Sequence, residues 1–379
     1  MTLAAHHKQI RDTVRRFARE RLAPNAARWD REKHFPRDEV AGLAAMGLCG
    51  VTIADEYGGA SLDNTALALA CEEISAGDGA TCTIIMVNNL VANILQGYGS
   101  EAQKRQFLAP LAKGAQLGAF CLTEPHAGSD ASAITTRAEK SEAHYVLNGV
   151  KQFITSGRSA DLAVVFAVTD RAAGKKGISA FVVPTSTPGY SAARIEDKTG
   201  QRASDTAQVL LENCKVPATH RLAAEGAGYR IALANLESGR INVAAQATGM
   251  ARAALEAALA YAGERKSMGK TLLEHQAVNF RLADMATGVE ASRQLYLHAA
   301  ALRDAGTPCL KEASMAKLFA SETAEKVCSD AIQIHGGYGY VTDFPVERIW
   351  RDVRVCQIYE GASDIQRLVI GRELAQGRT

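Results

Sequence analysis

Apolar residues in the first part of the chain recur at steps of three and four, which is the spacing of a helix with one buried face. The first such run, from Ile10 through Val14 and Phe17 to Leu22, is expected to end at Pro24. Similar patterns predict further helices over three stretches: residues 65–74, 84–95 and 101–111. An N-terminal helical domain is therefore predicted over residues 1–115.

The pattern changes near Gln116 to short runs of β-branched and aromatic residues separated by turn residues. Asn148-Gly149 is the preferred two-residue turn of a β-hairpin, so it predicts a hairpin between residues 144–147 and 150–155. Further strands are expected at residues 162–168, 178–183 and 207–211. Together they predict a middle β domain over residues 116–225.

From Gly228 onward the helical spacing returns, now rich in alanine. Two regular stripes carry it: Ile241, Ala245, Thr248, Ala251, Leu255, Ala258 and Ala262, then Val278, Leu282, Met285, Val289, Ser292, Tyr296 and Ala299. Such stripes favour long antiparallel helices, so a C-terminal four-helix bundle is predicted over residues 226–379. Small residues on both sides of the helices predict that bundles pack on one another in an oligomer. The expected fold class is α+β and multidomain.

Composition narrows the class of protein further. A chain of 379 residues, 47% of them hydrophobic, can bury the core of two or three packed domains. The 43 basic and 41 acidic residues leave a net charge of +2, and no basic run is present, so nucleic acid is not an expected partner. The 8 cysteines include no Cys-x-x-Cys pair, which indicates reduced thiols. Without a secretory apolar core or a membrane-length apolar run, we expect a soluble cytoplasmic protein with no membrane span.

Glu360 is the first candidate for chemistry. It lies in a glycine-containing turn, with Tyr359 before it and Gly361 after it, and a helical pattern follows at once. Ser363 is expected to cap that helix, and Asp364 falls in its first turn, where a negative charge suits the dipole. A carboxylate held in this way can act as a general base if burial raises its pKa. The alternative for a single glutamate is a solvated carboxylate before a helix.

Two segments of the β domain carry groups suited to a polar ring system or a phosphate. The loop from Thr123 to Asp130 offers hydroxyls and free backbone amides, and Phe153 and Thr155 place an aromatic ring and a hydroxyl on one side of a strand. Taken singly, an ordinary turn and an ordinary strand explain both. No dinucleotide-binding glycine motif, phosphate loop or zinc-protease motif is present.

Several polar residues of the helical C-terminal part have ordinary explanations when each is taken alone. Arg265 suits a solvated charge between helices, Gln276 a helix start, and Glu237 with Arg240 a surface ion pair three residues apart. The segment from Gln333 to Gly337 ends a helix with two glycines. His335 has no second ligand at metal spacing, so a packed or capping histidine is expected and no metal site.

In their order and spacing, these motifs resemble those of the acyl-CoA dehydrogenases over essentially the full length of the chain. The shared segments are Tyr57-Gly58-Gly59, Leu122-Thr123-Glu124-Pro125, Ala127-Gly128-Ser129-Asp130, Asn148-Gly149, residues 200–206, 264–266, 274–276, 282–285 and 311–317, Gly336-Gly337 and Tyr359-Glu360-Gly361. The resemblance implies an N-terminal helical domain, a β-barrel-like middle domain and a C-terminal four-helix bundle. Two departures are His335, where an aliphatic residue or Met is usual, and Met268, where an aromatic residue or Leu is common.

The resemblance implies FAD bound between the β domain and the bundle. The residues it places against FAD from one subunit are Phe120, Leu122, Thr123, Ser129, Phe153, Ile154 and Thr155, with Ala362, Ser363 and Asp364 near the adenine portion. Those it implies from a neighbouring subunit are Arg265, Gln276, Gln333, His335, Gly336 and Gly337. A guanidinium such as that of Arg265 matches a pyrophosphate better than a lysine would. A homotetramer built as a pair of dimers is expected.

The resemblance also implies a reaction, the α,β-dehydrogenation of an acyl-CoA. Glu360 matches the base that removes the α proton, while a hydride passes from the β carbon to the flavin and electrons then pass to an electron-transferring flavoprotein. The implied substrate contacts are Ser129, Glu237, Arg240, Tyr359 and Gly361. The Glu360 backbone N–H and a flavin ribityl hydroxyl would bind the thioester oxygen. Some members carry the base near position 239, which is Gly here.

The substrate stays open within the short-chain and short branched-chain members. Three segments are most similar to those members: residues 87–89, 236–241 and 361–366. Butyryl-, isobutyryl- and 2-methylbutyryl-CoA all fit, so either fatty acid β-oxidation or branched-chain amino acid catabolism is possible. The alternatives are a flavin monooxygenase or oxidase on the same fold, and a catalytically silent protein that binds FAD or CoA.

Overall fold

The computed structural model describes residues 3–377, and its N-terminal part is helical. The helices are α1 (Ala5–Phe17), α2 (Ala23–Glu32), α3 (Arg37–Ala45), α4 (Asn64–Gly77), α5 (Gly79–Tyr98), α6 (Glu101–Gln103) and α7 (Ala109–Ala112). The prediction that Pro24 ends the first helix is wrong. A π-helical turn over Ala18–Leu22 joins α1 to α2, and Pro24 lies in the first turn of α2, where its missing N–H removes no helical hydrogen bond.

Helix α5 is the core helix of this domain. It begins where the Asp78 carboxylate accepts hydrogen bonds from the backbone N–H and the hydroxyl of Thr81, at 2.8 and 2.7 Å. Its length and composition would allow it to cross a membrane, but 83% of its most apolar window is buried inside the protein. Its buried Asn88 and Asn89 donate to the carbonyls of Cys49 and Leu48, so their amides hold the preceding turn.

The middle part of the chain forms one mixed sheet. Its strands are β1 (Gly118–Cys121), β2 (Arg137–Ser141), β3 (His144–Thr155), β4 (Leu162–Val168), β5 (Ile178–Pro184), β6 (Tyr190–Ile195), β7 (Thr206–Pro217) and β8 (Arg221–Leu222). The strand order is β6-β7-β3-β2-β4-β5-β8, with β1 parallel to β4. Most other pairings are antiparallel.

The predicted turn at Asn148-Gly149 is wrong, because both residues lie within the single strand β3. The register against β7 shifts between Leu147 and Gly149, and the Asn148 side chain accepts the Asn213 N–H at 2.8 Å. Asn148 thus faces two residues of β7, Glu212 and Asn213, so the bulge lies on β7 and Asn148-Gly149 continues the strand without a chain reversal. The reversal lies between β2 and β3, where Glu142 has a φ of 50°.

The C-terminal part returns to helices. They are α8 (Gly228–Glu264), α9 (Gln276–Asp304), α10 (Leu310–His335), α11 (Val346–Val353) and α12 (Ser363–Ala375), with a small hairpin of β9 (Lys266–Ser267) and β10 (Lys270–Thr271) between α8 and α9. Helices α8, α9, α10 and α12 pack together as a bundle, and α8 also packs on α4 and α5. At Gly249 a Cβ would lie 2.1 Å from the Glu72 carbonyl oxygen, so glycine allows α8 to approach α4 closely.

A buried ionic cluster fixes the contact between α4 and the bundle. Arg252 on α8 pairs with Glu73 at 2.7 Å, and Arg293 on α9 pairs with Glu72 at 2.7 Å. The Tyr296 hydroxyl also donates to Glu72 at 2.5 Å. Because both glutamates are buried, the arginines satisfy charges that would otherwise be costly. All eight cysteines are buried free thiols, as predicted.

Candidate active site

The three parts of the chain meet around one cleft. Helix α5 lines it with Met86, Val87 and Leu90, and α8 lines it with residues from Tyr229 to Asn242. The sheet and its loops contribute Phe120, Leu122, Thr123, Gly128, Ser129, Ala131, Phe153, Ile154 and Thr155, and the turn before α12 contributes Tyr359, Glu360, Gly361 and Ile365. Residues that the sequence places more than 200 positions apart therefore share one site.

Glu360 lies in a strained turn that presents its carboxylate to this cleft. Its φ is 54° and that of Gly361 is 90°, so two consecutive residues are left-handed. The Gly361 carbonyl accepts hydrogen bonds from the buried Lys317 ammonium at 2.7 Å and from the Gln366 amide at 2.8 Å. Within the described residues, the Glu360 Oε2 atom and the Glu360 backbone N–H have no hydrogen-bond partner. Lys317 and Gln366 thus hold the turn through the Gly361 carbonyl, while Glu360 Oε2 and the Glu360 N–H stay unpaired within the described residues.

Burial and two nearby cations have opposite effects on the pKa of Glu360. Removal from water raises its pKa from 4.5 to about 7, while Arg240 and Lys317 act in the opposite direction. Arg240 lies on α8 and is 8% exposed, and its Nε and Nη1 atoms have no partner within the described residues. A carboxyl group with a pKa near neutrality and no hydrogen-bond partner is suited to accept a proton.

The expected surface ion pair between Glu237 and Arg240 is not formed. Glu237 accepts a hydrogen bond from Arg303 on α9 at 3.0 Å, and it does not line the cleft. Arg240 is buried in the cleft wall, close enough to Glu360 to affect its pKa. One turn of α8 therefore directs these two side chains to different neighbours, Glu237 toward Arg303 and Arg240 toward the cleft.

Gly239 provides the space that the Glu360 side chain occupies. A Cβ at position 239 would lie 2.6 Å from Glu360 Oε2 and 3.0 Å from its Cδ. The 2.6 Å approach is shorter than real Cβ contacts, so a side chain at 239 would push the carboxylate out of its observed position and glycine leaves it in place. The α8 backbone thus forms one wall of the site for the base.

Tyr359 borders the cleft, but its hydroxyl points into the protein core. It donates to the Gln246 side chain and accepts from Gln201 at 3.4 Å, and Gln246 donates onward to Thr83 at 2.7 Å. The hydroxyl is therefore engaged with core residues, while Tyr359 still borders the cleft. It ties the Glu360 turn to α5, α8 and the segment before β7.

The β domain offers a mixed apolar and hydroxyl surface to the same cleft. Phe153 has a φ of 57° and is 63% exposed, so the backbone holds an aromatic ring outside the sheet core. The side-chain hydroxyls of Thr123, Ser129 and Thr155 have no hydrogen bond to another described residue. Ile154 reaches the cleft with only 2% of its surface exposed. The expected neighbours are thus brought together as predicted.

A buried ion pair that the motif search missed supports the Thr123 loop. Lys151 donates to Glu124 Oε1 at 2.8 Å and to the Leu122 carbonyl at 3.1 Å, and the Gln152 N–H donates to the Thr123 carbonyl at 2.8 Å. Burial opposes ionisation of Glu124, but the Lys151 charge outweighs it and lowers the pKa of Glu124 to about 2. The available signal was alternation along β3, which puts Lys151 on the buried face with Tyr145 and Leu147.

Arg265, His335, Gly336 and Gly337 line a second cleft at the end of α10. His335 donates from Nδ1 to the Ala331 carbonyl of its own helix at 2.8 Å, and its ring stacks on Tyr261 at 4.4 Å. It is a packed histidine, as its sequence context predicted. Gln276 and Gln333 are exposed at the start of α9 and near the end of α10, and they line neither cleft.

The start of α12 differs in one detail from the prediction. Ala362 is the N-cap and Ser363 is the first helical residue, so Ser363 does not cap the helix. Its hydroxyl oxygen is buried and has no partner within the described residues. Asp364 lies in the first turn as predicted and pairs with Arg367 at 3.3 Å.

Comparison with known proteins shows the family. The acyl-CoA dehydrogenase N-terminal domain matches residues 4–115, the middle domain residues 119–214 and the C-terminal domain residues 226–375. The chain belongs to the acyl-CoA dehydrogenase family. Its similarity to the human mitochondrial short-chain specific acyl-CoA dehydrogenase is 46% identity over 369 residues, which cover 97% of this chain and 90% of that protein.

Solved structures agree with this family. Butyryl-CoA dehydrogenase from Megasphaera elsdenii superposes with a TM-score of 0.97 at 39% identity, over 99% of each chain. A chain from a structure of the electron-transferring flavoprotein of Acidaminococcus fermentans superposes with a TM-score of 0.97 at 44% identity, again over 99% of each chain. The acyl-CoA dehydrogenase fold predicted from the sequence is confirmed, and the chain is an oxidoreductase of this family.

Acyl-CoA dehydrogenases are flavoproteins, and the cleft fits a flavin. It combines the apolar surfaces of Leu122 and Phe153 with the hydroxyls of Thr123 and Thr155, which suits a ring system carrying polar edges. Gly128 would have no atom within 4 Å of a Cβ, so the loop beside these residues is open. The buried Ser363 hydroxyl without a partner is a further polar group that a ligand could satisfy.

We predict that Glu360→Gln changes the pH dependence of stability. Glu360 has a pKa of about 7 in the folded protein against 4.5 in an ordinary environment, so below pH 4.5 it is protonated in both states. As the pH rises from 4.5 to about 7, Glu360 ionises in the unfolded chain but stays largely protonated in the folded protein. Ionisation then stabilises the unfolded state more than the folded state, so the free energy of unfolding falls. Glutamine does not titrate, so the Tm of the variant should rise relative to the wild type between about pH 5 and about pH 8.

The control for this prediction is Glu56→Gln, which removes a carboxylate exposed to solvent in the N-terminal domain. Differential scanning calorimetry of the three proteins across that pH range makes the comparison. A Tm difference between Glu360→Gln and wild type that stays constant with pH would contradict the raised pKa.

Proposed function

We propose that this chain is an FAD-dependent dehydrogenase that introduces a trans double bond between Cα and Cβ of a short-chain or short branched-chain acyl-CoA. The observation that carries the proposal is the Glu360 carboxylate in this cleft, whose buried Oε2 has no partner among the described residues and whose pKa is raised to about 7. A base for an α proton must be ionised at neutral pH and still hold a proton well once it is transferred. A pKa near 7 meets both requirements.

The chain supplies the other parts that proton removal needs. Loss of the α proton places negative charge on the thioester oxygen, and the unpaired Glu360 N–H is a donor that can be aimed at it. Arg240 keeps positive charge near the base and favours its ionised form before the reaction. Both effects come from groups already fixed in place, so little reorganisation accompanies the proton transfer.

FAD would be held by Phe120, Leu122, Thr123, Ser129, Phe153, Ile154 and Thr155 in the first cleft, with Ala362 to Asp364 near its adenine portion. When bound, the flavin supplies the acceptor for the hydride that leaves Cβ. The second cleft, with Arg265, His335, Gly336 and Gly337, together with Gln276 and Gln333, would contact FAD of a neighbouring subunit in a homotetramer. Electrons would then pass to an electron-transferring flavoprotein, and the similarity to a chain in such a structure supports that partner.

Short acyl chains are proposed from the relatives and from the cleft wall. The human relative is short-chain specific, and the Megasphaera protein is a butyryl-CoA dehydrogenase. Apolar side chains of Met86, Val87 and Leu90 from α5 face Leu236 from α8 across the cleft, which suits an alkyl chain near the base. Ser129 and Arg240 are the remaining proposed contacts to substrate. A cytoplasmic location fits the free thiols and the burial of α5.

The first test of this proposal is Glu360→Gln in the reductive half-reaction. Glutamine keeps the size of the side chain but cannot accept a proton, so flavin reduction by acyl-CoA should slow by roughly 10²–10⁴-fold while the protein stays yellow and still binds acyl-CoA. Stopped-flow bleaching of the flavin measures it, with Glu56→Gln as the control for loss of one carboxylate. Near-normal bleaching of the Glu360→Gln protein would show that the base lies elsewhere.

The substrate range is tested by the same bleaching assay on a panel of acyl chains. Butyryl-, isobutyryl- and 2-methylbutyryl-CoA should reduce the flavin fastest, with rates falling for chains of about eight carbons and beyond, as the similarity to short-chain relatives implies. The measurement is kcat/KM for each chain at one pH. A maximum at octanoyl- or palmitoyl-CoA would contradict the short-chain assignment but leave the dehydrogenase activity in place.

The contact between subunits is tested at Arg265. If its guanidinium binds the FAD pyrophosphate, Arg265→Ala should weaken FAD retention by about 2 kcal/mol with little change in Tm of the flavin-free protein. Lys266→Ala removes a neighbouring exposed charge and is the matched control. Flavin content after dialysis and sedimentation velocity report the two effects. A flavin-loaded monomer, or full retention of FAD by Arg265→Ala, would refute the proposed arrangement.

A further inference from the structure

Lys317 is a buried cation that no part of the proposed mechanism has yet used. It lies in the middle of α10 and is 0% exposed. Its ammonium donates to the Gly361 carbonyl at 2.7 Å and forms no ion pair within the described residues. Its one protein partner is therefore the carbonyl that follows Glu360 in the chain.

The burial of an ammonium without a counterion requires a functional explanation. Burying a charge without a counterion is costly, and an apolar residue of the same length would satisfy the packing of α10. Burial lowers the pKa of Lys317 to about 8, so the group still carries much of its charge at neutral pH. Uncompensated charges of this kind are concentrated at functional sites.

The charged and titratable groups around Lys317 show which of them its ammonium can act on. The elements packed against it bring Cys356, Glu360 and Arg240, and its own helix brings Glu322. Burial raises the pKa of Cys356 to about 12, so that thiol is neutral. Glu322 is paired with Arg367 at 2.6 Å. Glu360 is thus the carboxylate without a hydrogen-bonded partner in this group.

We propose that Lys317 is a positioning residue for the reaction: its buried ammonium fixes the left-handed Glu360–Gly361 turn through the Gly361 carbonyl and places a positive charge at the residue next to the Glu360 base. Arg240 from α8 and Lys317 from α10 approach Glu360 from two different helices. The Gln366 amide also donates to the Gly361 carbonyl and so helps to fix the turn, but it carries no charge. The positive charge near Glu360 therefore comes from Arg240 and Lys317.

The role of Lys317 in the reaction rests on the proposed function, but its effect on Glu360 does not. The protonated carboxyl group of Glu360 should give an infrared carbonyl band that titrates with pH and is absent from Glu360→Gln. This band reports the charge of Glu360 without any turnover. The flavin-loaded enzyme is used throughout, and the rate of flavin reduction by butyryl-CoA is followed over the same pH range.

Lys317→Met removes the charge and keeps an unbranched side chain of similar length. We expect the midpoint of the Glu360 band to rise by about one pH unit, because an opposite charge is lost, and the acid limb of flavin reduction to rise with it. Lys317→Arg keeps the charge and should keep the midpoint near the wild-type value. Lys326→Met changes an exposed lysine of the same helix and should leave both readouts unchanged.

An unshifted band in Lys317→Met would overturn the inference, and so would an equal shift in Lys326→Met. Lys317→Gln is a second neutral variant with the same expected shift. If neither neutral variant folds, the lysine is a requirement of the fold and the inference fails. If instead the band shifts as expected but butyryl-CoA and its branched analogues do not bleach the wild-type flavin, the proposed function is wrong and the pairing of Lys317 with Glu360 stands.

Discussion

The removal of one carboxylate from water is the constraint on which the site depends. Within the described residues the buried Oε2 of Glu360 has no hydrogen-bond partner, so the pKa of the carboxyl group is raised by burial and lowered by the neighbouring Arg240 and Lys317. The two cations offset the effect of burial in part, so the pKa of Glu360 lies near 7. A fully solvated glutamate would be too weak a base, and one buried without these cations would stay protonated.

Such a balance requires a scaffold that does not relax. Three helices from different parts of the chain contact the Glu360 turn: α8 through Gly239, α10 through Lys317 and α12 through Gln366. Tyr359 adds a hydrogen-bonded link to the core on the other side. Two successive left-handed residues are tolerated because so many contacts fix them. The large buried contact between α8 and α4 places this scaffold against the N-terminal domain, so the cleft is shared by all three parts.

Sequence patterns predicted the elements well where one face is buried and the run is long. The strand at 162–168 and the helices containing the two alanine-rich stripes are found where periodicity put them. Errors occurred where one residue type has two structural uses. Asn148-Gly149 lies within a paired strand, opposite a bulge of β7, while Pro24 sits in a first helical turn and Ser363 lies one residue inside its helix. Each of these residue types suits more than one local structure, so the local pattern does not choose between them.

The residues of the cleft were found through resemblance, because their individual motifs have ordinary explanations. What neither motif nor spacing could supply is the identity of long-range electrostatic partners. Lys151 on β3 pairs with Glu124 in the loop after β1, and Lys317 contacts the turn after Glu360 from 44 residues away in the chain. Arg240 does not pair with its neighbour Glu237 but lies near Glu360, 120 positions later. This outcome depends on how α8 is rotated in the bundle.

The contact between Gly239 and Glu360 limits how this site can change through evolution. A side chain at 239 and a carboxylate at 360 compete for the same volume, since a Cβ would approach Oε2 to 2.6 Å. A side chain introduced at 239 would therefore displace the Glu360 carboxylate from the position it now holds, which changes the geometry of the base without touching residue 360 itself. Positions 239 and 360 should therefore be inherited as one coupled choice, although they lie on different elements of the bundle.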